Sequence, residues 1–175
     1  MRPYPTHLVK SLTLADGATI VIRPITPRDA AIEQEFVRNL SAESRYFRFM
    51  DALRELSPQM LSHFTNVDYD CHMALIAVMP AGPGETEIAV ARYIVAADNT
   101  SCEFALVVAD AWQRRGVGAA LMDALMDAAR RRGLTIMYGE VLASNHKMLD
   151  LMRRLGFNVS HHAGDPRLMR VEARL

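Results

Sequence analysis

The chain has 175 residues, 50% hydrophobic and 23% charged, and its 20 basic and 20 acidic side chains leave a formal net charge of zero. That length suits one domain with a substantial core, and the charge balance excludes a long-range pull toward nucleic acid or a membrane surface. No apolar run reaches transmembrane length and Met1-Arg2-Pro3-Tyr4-Pro5 has no apolar signal core, so a cytoplasmic location is expected.

In chain order, the pattern predicts a strand at 19–23 and a helix over 27–40. Thr26 suits the cap of that helix, Pro27 its first position, and Asp29 stands three residues after the cap. Short helical segments are expected after Ser41 and after Ser57-Pro58. Strands follow at 73–78, 88–96 and 102–108. The stretch Pro80-Ala81-Gly82-Pro83-Gly84-Glu85 between the first two reads as a hairpin loop and not a domain boundary. The strongest helix is 116–132, where Val117, Ala120, Leu121, Ala124, Leu125 and Ala128 recur at helical spacing. Arg130, Arg131 and Arg132 suit its negative end, and Gly133 can stop it. A strand at 135–141, a helix at 145–155 and an antiparallel pair at 158–160 and 168–174 complete the chain. The fold class is α/β: a single domain over 1–175, its core at about 20–160, built on one mixed, twisted sheet of six to seven strands flanked by helices.

The chemistry concentrates in Gln113-Arg114-Arg115-Gly116-Val117-Gly118-Ala119-Ala120, between a strand and the strongest helix. A glycine-rich turn feeding a helix N-terminus presents unpaired N–H groups and partial positive charge, which makes a phosphate cradle. The segment lacks the lysine and hydroxyl of a Walker A loop. It also lacks a full G-x-G-x-x-G, because position 121 is leucine. It does fit Q/R-x-x-G-x-G/A, and on that motif the chain resembles the GNAT family of N-acetyltransferases. The strand Glu103-Phe104-Ala105-Leu106-Val107-Val108, the run 141–157 with Asn145 and Leu155-Gly156-Phe157, and the opening 22–30 extend the resemblance over most of the chain. Leu40 to Phe49, with Asp68-Tyr69-Asp70, is similar to the module of bacterial protein-lysine acetyltransferases, which is often fused to an acyl-CoA synthetase-like or cyclic-nucleotide-binding region absent from this sequence.

The resemblance implies acetyl-CoA as co-substrate, with its pyrophosphate on the turn from Gly116 through Val117, Gly118 and Ala119 to Ala120. Gln113, Arg114 and Arg115 would stand beside it. The strand holding Leu106, Val107 and Val108 would splay from its neighbour and offer backbone groups to the pantetheine arm. Glu103 shares a strand face with Ala105 and Val107. It is either a strand-end glutamate, in solvent or paired to an arginine, or the general base for an amine whose ordinary pKa is near 10.4. Asn145 suits a helix N-cap, and the resemblance adds a cofactor contact. Many relatives carry a tyrosine acid seven residues later, where this chain has Met152.

The expected acceptor is a primary amine, first a protein lysine. A small-molecule amine, or acyl-CoA binding without turnover as a sensor, are the alternatives. No metal, nucleic acid or membrane partner is expected, and a homodimer is left open. Cys71 and Cys102 form neither a disulfide framework nor a zinc pattern and are expected to be buried thiols. The scattered histidines carry no metal pattern.

Overall fold

The structure is a computed structural model that describes residues 3–175. Eight strands form one sheet in the order β1-β2-β3-β4-β5-β6-β8-β7. They are β1 (Lys10–Thr13), β2 (Thr19–Pro24), β3 (His72–Ala81), β4 (Gly84–Val95), β5 (Ser101–Val108), β6 (Ile136–Leu142), β7 (Asn158–His161) and β8 (Leu168–Arg174). The helices are α1 (Ala30–Asn39), α2 (Ala42–Phe49), α3 (Pro58–Thr65), α4 (Val117–Arg132) and α5 (His146–Arg154). Among the described residues only β5 and β6 run parallel; every other pair is antiparallel.

The sheet has eight strands where the sequence led us to expect six to seven. The additional one is β1, all four of whose residues are exposed. It carries no hydrophobic alternation, so its strand state comes from pairing with β2, from Lys10↔Ile22 to Thr13↔Thr19. Gly17, at φ 86°, makes the connecting turn possible. The helix expected over 27–40 begins as a 3₁₀ turn, Pro27–Asp29, in which the Asp29 carboxylate accepts the Thr26 N–H at 2.7 Å. Gly133 ends α4 with φ 88°. Cys102 is buried as expected, and burial pushes its thiol up to about 12; Cys71, in contrast, is exposed just before β3.

Alternate residues of the central strands feed two cores. One face packs Leu121, Leu125 and Met122 of α4 with Leu149 and Met152 of α5 onto Leu75, Ala91, Phe104 and Met137. The other packs Phe36 and Val37 of α1, with Met60, Leu61 and Phe64 of α3, onto Ala74, Ile76, Val90 and Val107. The second cover is partial. Glu103 of β5 and Glu140 of β6 on that face are exposed, and Tyr138, Arg170 and Glu172 are half-buried.

Under α1 the second core encloses charge. Glu33, Glu87 and Arg92 are all buried, and Arg92 donates to Glu33 at 3.3 Å and to the Phe64 carbonyl at 3.1 Å. Burial, and then the neighbouring Glu33 carboxylate, push Glu87 well above the ordinary carboxylate range. An acid raised in the folded state binds its proton more tightly there than in the unfolded chain. Its contribution is therefore full below the unfolded carboxylate pKa and is lost as pH rises through the folded value. Glu87→Gln, neutral at every pH, should flatten the fall in Tm as pH rises above the ordinary carboxylate range and be the more stable protein at the upper end. A variant with the parent's pH profile would mean that Glu87 ionises freely in the fold.

Candidate active site

Strand pairing builds the centre of the site. β5 follows β4 from Val95↔Cys102 to Ala89↔Val108. It follows β6 only from Ser101↔Ile136 to Glu103↔Tyr138. Past that rung the two parallel strands separate into a fork. The Ala109 N–H bonds the Ile88 carbonyl at 2.8 Å. By antiparallel alternation the backbone of Val107 therefore also turns toward β4, while the backbone groups of Leu106 and Val108 turn away from it into the fork. Of the three residues expected to offer backbone to a ligand, Leu106 and Val108 turn theirs into the fork and Val107 does not. Val107 instead contributes its side chain to the second core.

The turn after β5 lies at the wide end of the fork. Gly116 caps α4 with φ 88°, and Arg114 before it adopts φ 61°. The first α4 hydrogen bond returns from the Ala120 N–H to the Gly116 carbonyl at 3.0 Å. The N–H groups of Val117, Gly118 and Ala119 thus have no intrahelical acceptor. A cavity of about 410 Å³ opens onto this turn. Gly116, Gly118 and Ala119 line it with Leu106, Val107, Val108, Gln113, Arg114 and Asn145. The side chains of Val117 and Ala120 face the core. Arg115 departs from expectation: its guanidinium bonds Asp16 at 2.6 Å and stacks over Trp112 at 3.9 Å, away from the cavity lining.

Polar contacts tie the walls together. Gln113 Nε2 donates to the Val108 carbonyl at 3.2 Å and to Ser44 Oγ at 3.3 Å, and Gln113 Oε1 accepts from Lys147 Nζ at 3.3 Å. Asp110 accepts from Ser41 N–H at 2.9 Å, from Ser41 Oγ at 2.7 Å and from Ser44 Oγ at 2.8 Å. Partial burial raises the Asp110 pKa, but these donors outweigh it and hold the carboxyl below its usual value. The start of α2 is thereby fastened to the β5–α4 connection. Asn145 caps α5, accepting the Met148 N–H at 3.2 Å, and also lines the cavity, so its two expected roles are compatible.

The sequence reading overlooked several lining residues: Glu43, Phe47 and Arg48 of α2, and Lys147, Leu151 and Arg154 of α5. Glu43, Phe47 and Arg48 fall in the Leu40 to Phe49 stretch that was singled out only as a resemblance, and Lys147, Leu151 and Arg154 lie on a short helix where no motif marks them. Arg48, Arg114, Lys147 and Arg154 against Glu43 make the cavity cationic, as an anionic ligand requires. Met152 is fully buried in the core. No tyrosine is among the lining residues. Glu103 lies outside the lining as well. It is exposed on the partly covered face, at the last rung before the fork. Among the described residues, no group of three or more His, Cys, Asp and Glu converges as a metal site requires, and no helix is long and apolar enough to cross a membrane.

Gly118 is confined as well as placed at the turn. A Cβ there would sit 3.2 Å from Leu151 Cδ2 and 3.4 Å from Val108 Cγ2. Gly118→Val should therefore push α4 from both neighbours and close the approach to the helix N-terminus. The expected result is at least a ten-fold (~1.4 kcal/mol) loss of acetyl-CoA affinity by calorimetry, with circular dichroism to verify folding. Parent affinity in a folded variant would move the phosphate site elsewhere.

Comparison with known proteins agrees with this geometry. The model of the acetyltransferase (GNAT) family matches residues 35–157. An acetyltransferase of Pseudomonas aeruginosa is 37% identical over 151 residues, covering 86% of this chain and 80% of that protein. Acetyltransferase Pat of Mycolicibacterium smegmatis is 33% identical over 141 residues, which span 80% of this chain but only 41% of that longer protein. The crystal structure of the GNAT domain of S. lividans PAT superposes with a TM-score of 0.91 at 32% identity, covering 99% of this chain and 100% of that domain. With the forked parallel strands and the glycine turn at the head of α4, these matches show that the chain belongs to the GNAT family, as an acetyl-CoA-dependent N-acetyltransferase.

Proposed function

We propose that the protein transfers an acetyl group from acetyl-CoA to the amine of a protein lysine, with Glu103 as general base. The observation that carries this reading is the end of β5–β6 pairing at Glu103↔Tyr138. It opens backbone groups to a thioester on one side and sets a carboxylate at the apex of the same opening. The cationic cavity suits the phosphates of coenzyme A. The N–H groups of Val117, Gly118 and Ala119 would face the pyrophosphate, with Gln113, Arg114 and Asn145 beside it. Arg115 would contribute only by stiffening the turn through Asp16 and Trp112.

Glu103, directly or through a water, takes the proton from the acceptor ammonium and frees its lone pair for attack. The N–H groups of Leu106 and Val108 turn into the fork, where charge develops on the thioester oxygen. A thiol of ordinary pKa near 8.5 is a workable leaving group, so Met152 in place of a tyrosine acid is compatible with turnover.

The resemblance of Leu40 to Phe49, with Asp68-Tyr69-Asp70, to the module of bacterial protein-lysine acetyltransferases supports a protein acceptor. The charges of 41–70 add little to that support. Arg45 bonds the carbonyls of Arg38 and Leu40, Glu55 pairs with Arg38, Asp70 with Arg132, and Asp68 accepts three backbone N–H groups. These hold the scaffold, while Glu43 and Arg48 remain at the cavity. The test is thiol release from acetyl-CoA with folded proteins, their excised lysine peptides and small amines as acceptors. A strong preference for a folded protein supports the proposal. Turnover of small amines alone would replace it, and binding without any thiol release would make the protein a sensor.

A further inference from the structure

The open part of the second sheet face carries three side chains in one row. Ile94 pairs with Glu103 across β4 and β5, and Glu103 pairs with Tyr138 across β5 and β6. Directly paired residues project to the same side of a sheet, and neighbouring strands lie ~4.8 Å apart. The carboxylate is therefore flanked on one side by an aliphatic side chain and on the other by an aromatic ring. Ile94 is 46% exposed, one of few large apolar side chains left in solvent. The Arg170 guanidinium packs over the Tyr138 ring at 4.3 Å and is itself paired with Glu172 at 3.0 Å, which offsets its charge. The next residue of β5 on this face is Ala105, small and half-exposed, opposite the place where β6 has departed. Nothing bulky on β5 separates Glu103 from the fork.

We infer that Ile94 and Tyr138 are the walls of the acceptor site, a slot that takes the unbranched alkyl stem of a primary ammonium and delivers its head to Glu103. The inference rests on Glu103 as the base, and it adds which amines fit. A lysine-type side chain standing on the sheet lays its methylenes against the Tyr138 ring and the Ile94 side chain. Its ammonium meets the carboxylate at the floor and passes over Ala105 into the fork. An amine on a branched or bulky carbon would be held off by the same two walls. Tyr138 acts here through its face and not its hydroxyl. Burial, and then the nearby Glu103 charge, raise the phenol above its ordinary pKa, which keeps it neutral beside that carboxylate.

The test uses Tyr138→Ala, Tyr138→Phe and Ile94→Ser with N-acetyl-lysine methylamide and a lysine peptide as acceptors. KM for these amines should rise about ten-fold in Tyr138→Ala and Ile94→Ser, the worth of roughly two buried methylenes. KM for acetyl-CoA should stay as in the parent, and Tyr138→Phe should remain within about two-fold throughout. In the coenzyme A-bound parent, the Tyr138 ring resonances should shift on addition of the methylamide. Unmoved resonances, or equal amine KM in Tyr138→Ala, would overturn the slot. A Tyr138→Phe as damaged as Tyr138→Ala would overturn it too, by giving the role to the hydroxyl. Should Glu103→Gln keep full turnover while Tyr138→Ala loses acceptor affinity, the base assignment falls and the slot stands.

Discussion

Glu103→Gln is expected to bind acetyl-CoA as the parent does and to lose roughly 10²–10⁴-fold in kcat, the usual worth of a positioned acid–base group. The reasoning is geometric. Glu103 occupies the last rung at which β5 and β6 are paired, so its side chain stands at the one point that touches both the open acceptor face and the fork. It is exposed, and a carboxylate in contact with water can relay a proton to solvent after taking it. Glutamine preserves size and shape but accepts no proton. The loss should shrink as pH rises, because an amine with ordinary pKa near 10.4 then arrives increasingly neutral and needs no base. Thiol-release kinetics across a pH series, with calorimetry for acetyl-CoA, separate the two effects. Full activity at neutral pH would remove Glu103 from the mechanism. A deficit that stays constant at high pH would leave it a role in positioning only.

Arg92→Ala should cost about 3–5 kcal/mol of stability, the usual result of stranding one member of a buried ion pair. Arg92 and Glu33 are 5% and 2% exposed at the side chain, so solvent screens little of what is lost. The guanidinium also lies over the Phe64 ring at 4.3 Å and holds the Phe64 carbonyl. Its removal therefore loosens α1 and α3 together from the sheet, and with them the second core against which Val107 of the cavity wall packs. Urea denaturation gives the magnitude. The double variant Glu33→Leu/Arg92→Leu identifies the cause: if the stranded carboxylate dominates, it should recover most of the loss. A double variant less stable than Arg92→Ala would show that the contacts of Arg92 with Phe64, and not its charge, hold this layer.

The sequence by itself determined the period of each element and the chemistry of the turn. Seven strands and five helices were legible because apolar runs or alternation mark most of the strands, helical spacing marks α4, and Thr26, Ser57, Asn145 and Gly133 are strong local stop and start signals. The glycine turn at the head of α4 was legible because Gly116, at φ 88°, meets a local steric demand that few other residues satisfy. Tertiary structure decided what depends on partners distant in the chain. β1 is a strand only because β2 is there to pair with it. Arg115 leaves the site because Asp16, 99 residues away in sequence, draws it aside. The place where β5 and β6 part is a property of two strands and of neither alone, and so is the row Ile94–Glu103–Tyr138, which draws one residue from each of three segments. Local sequence specifies which backbone state a residue prefers. Which side chains face one another is set by register and packing, and in this protein the proposed acceptor site is made entirely of such long-range pairings.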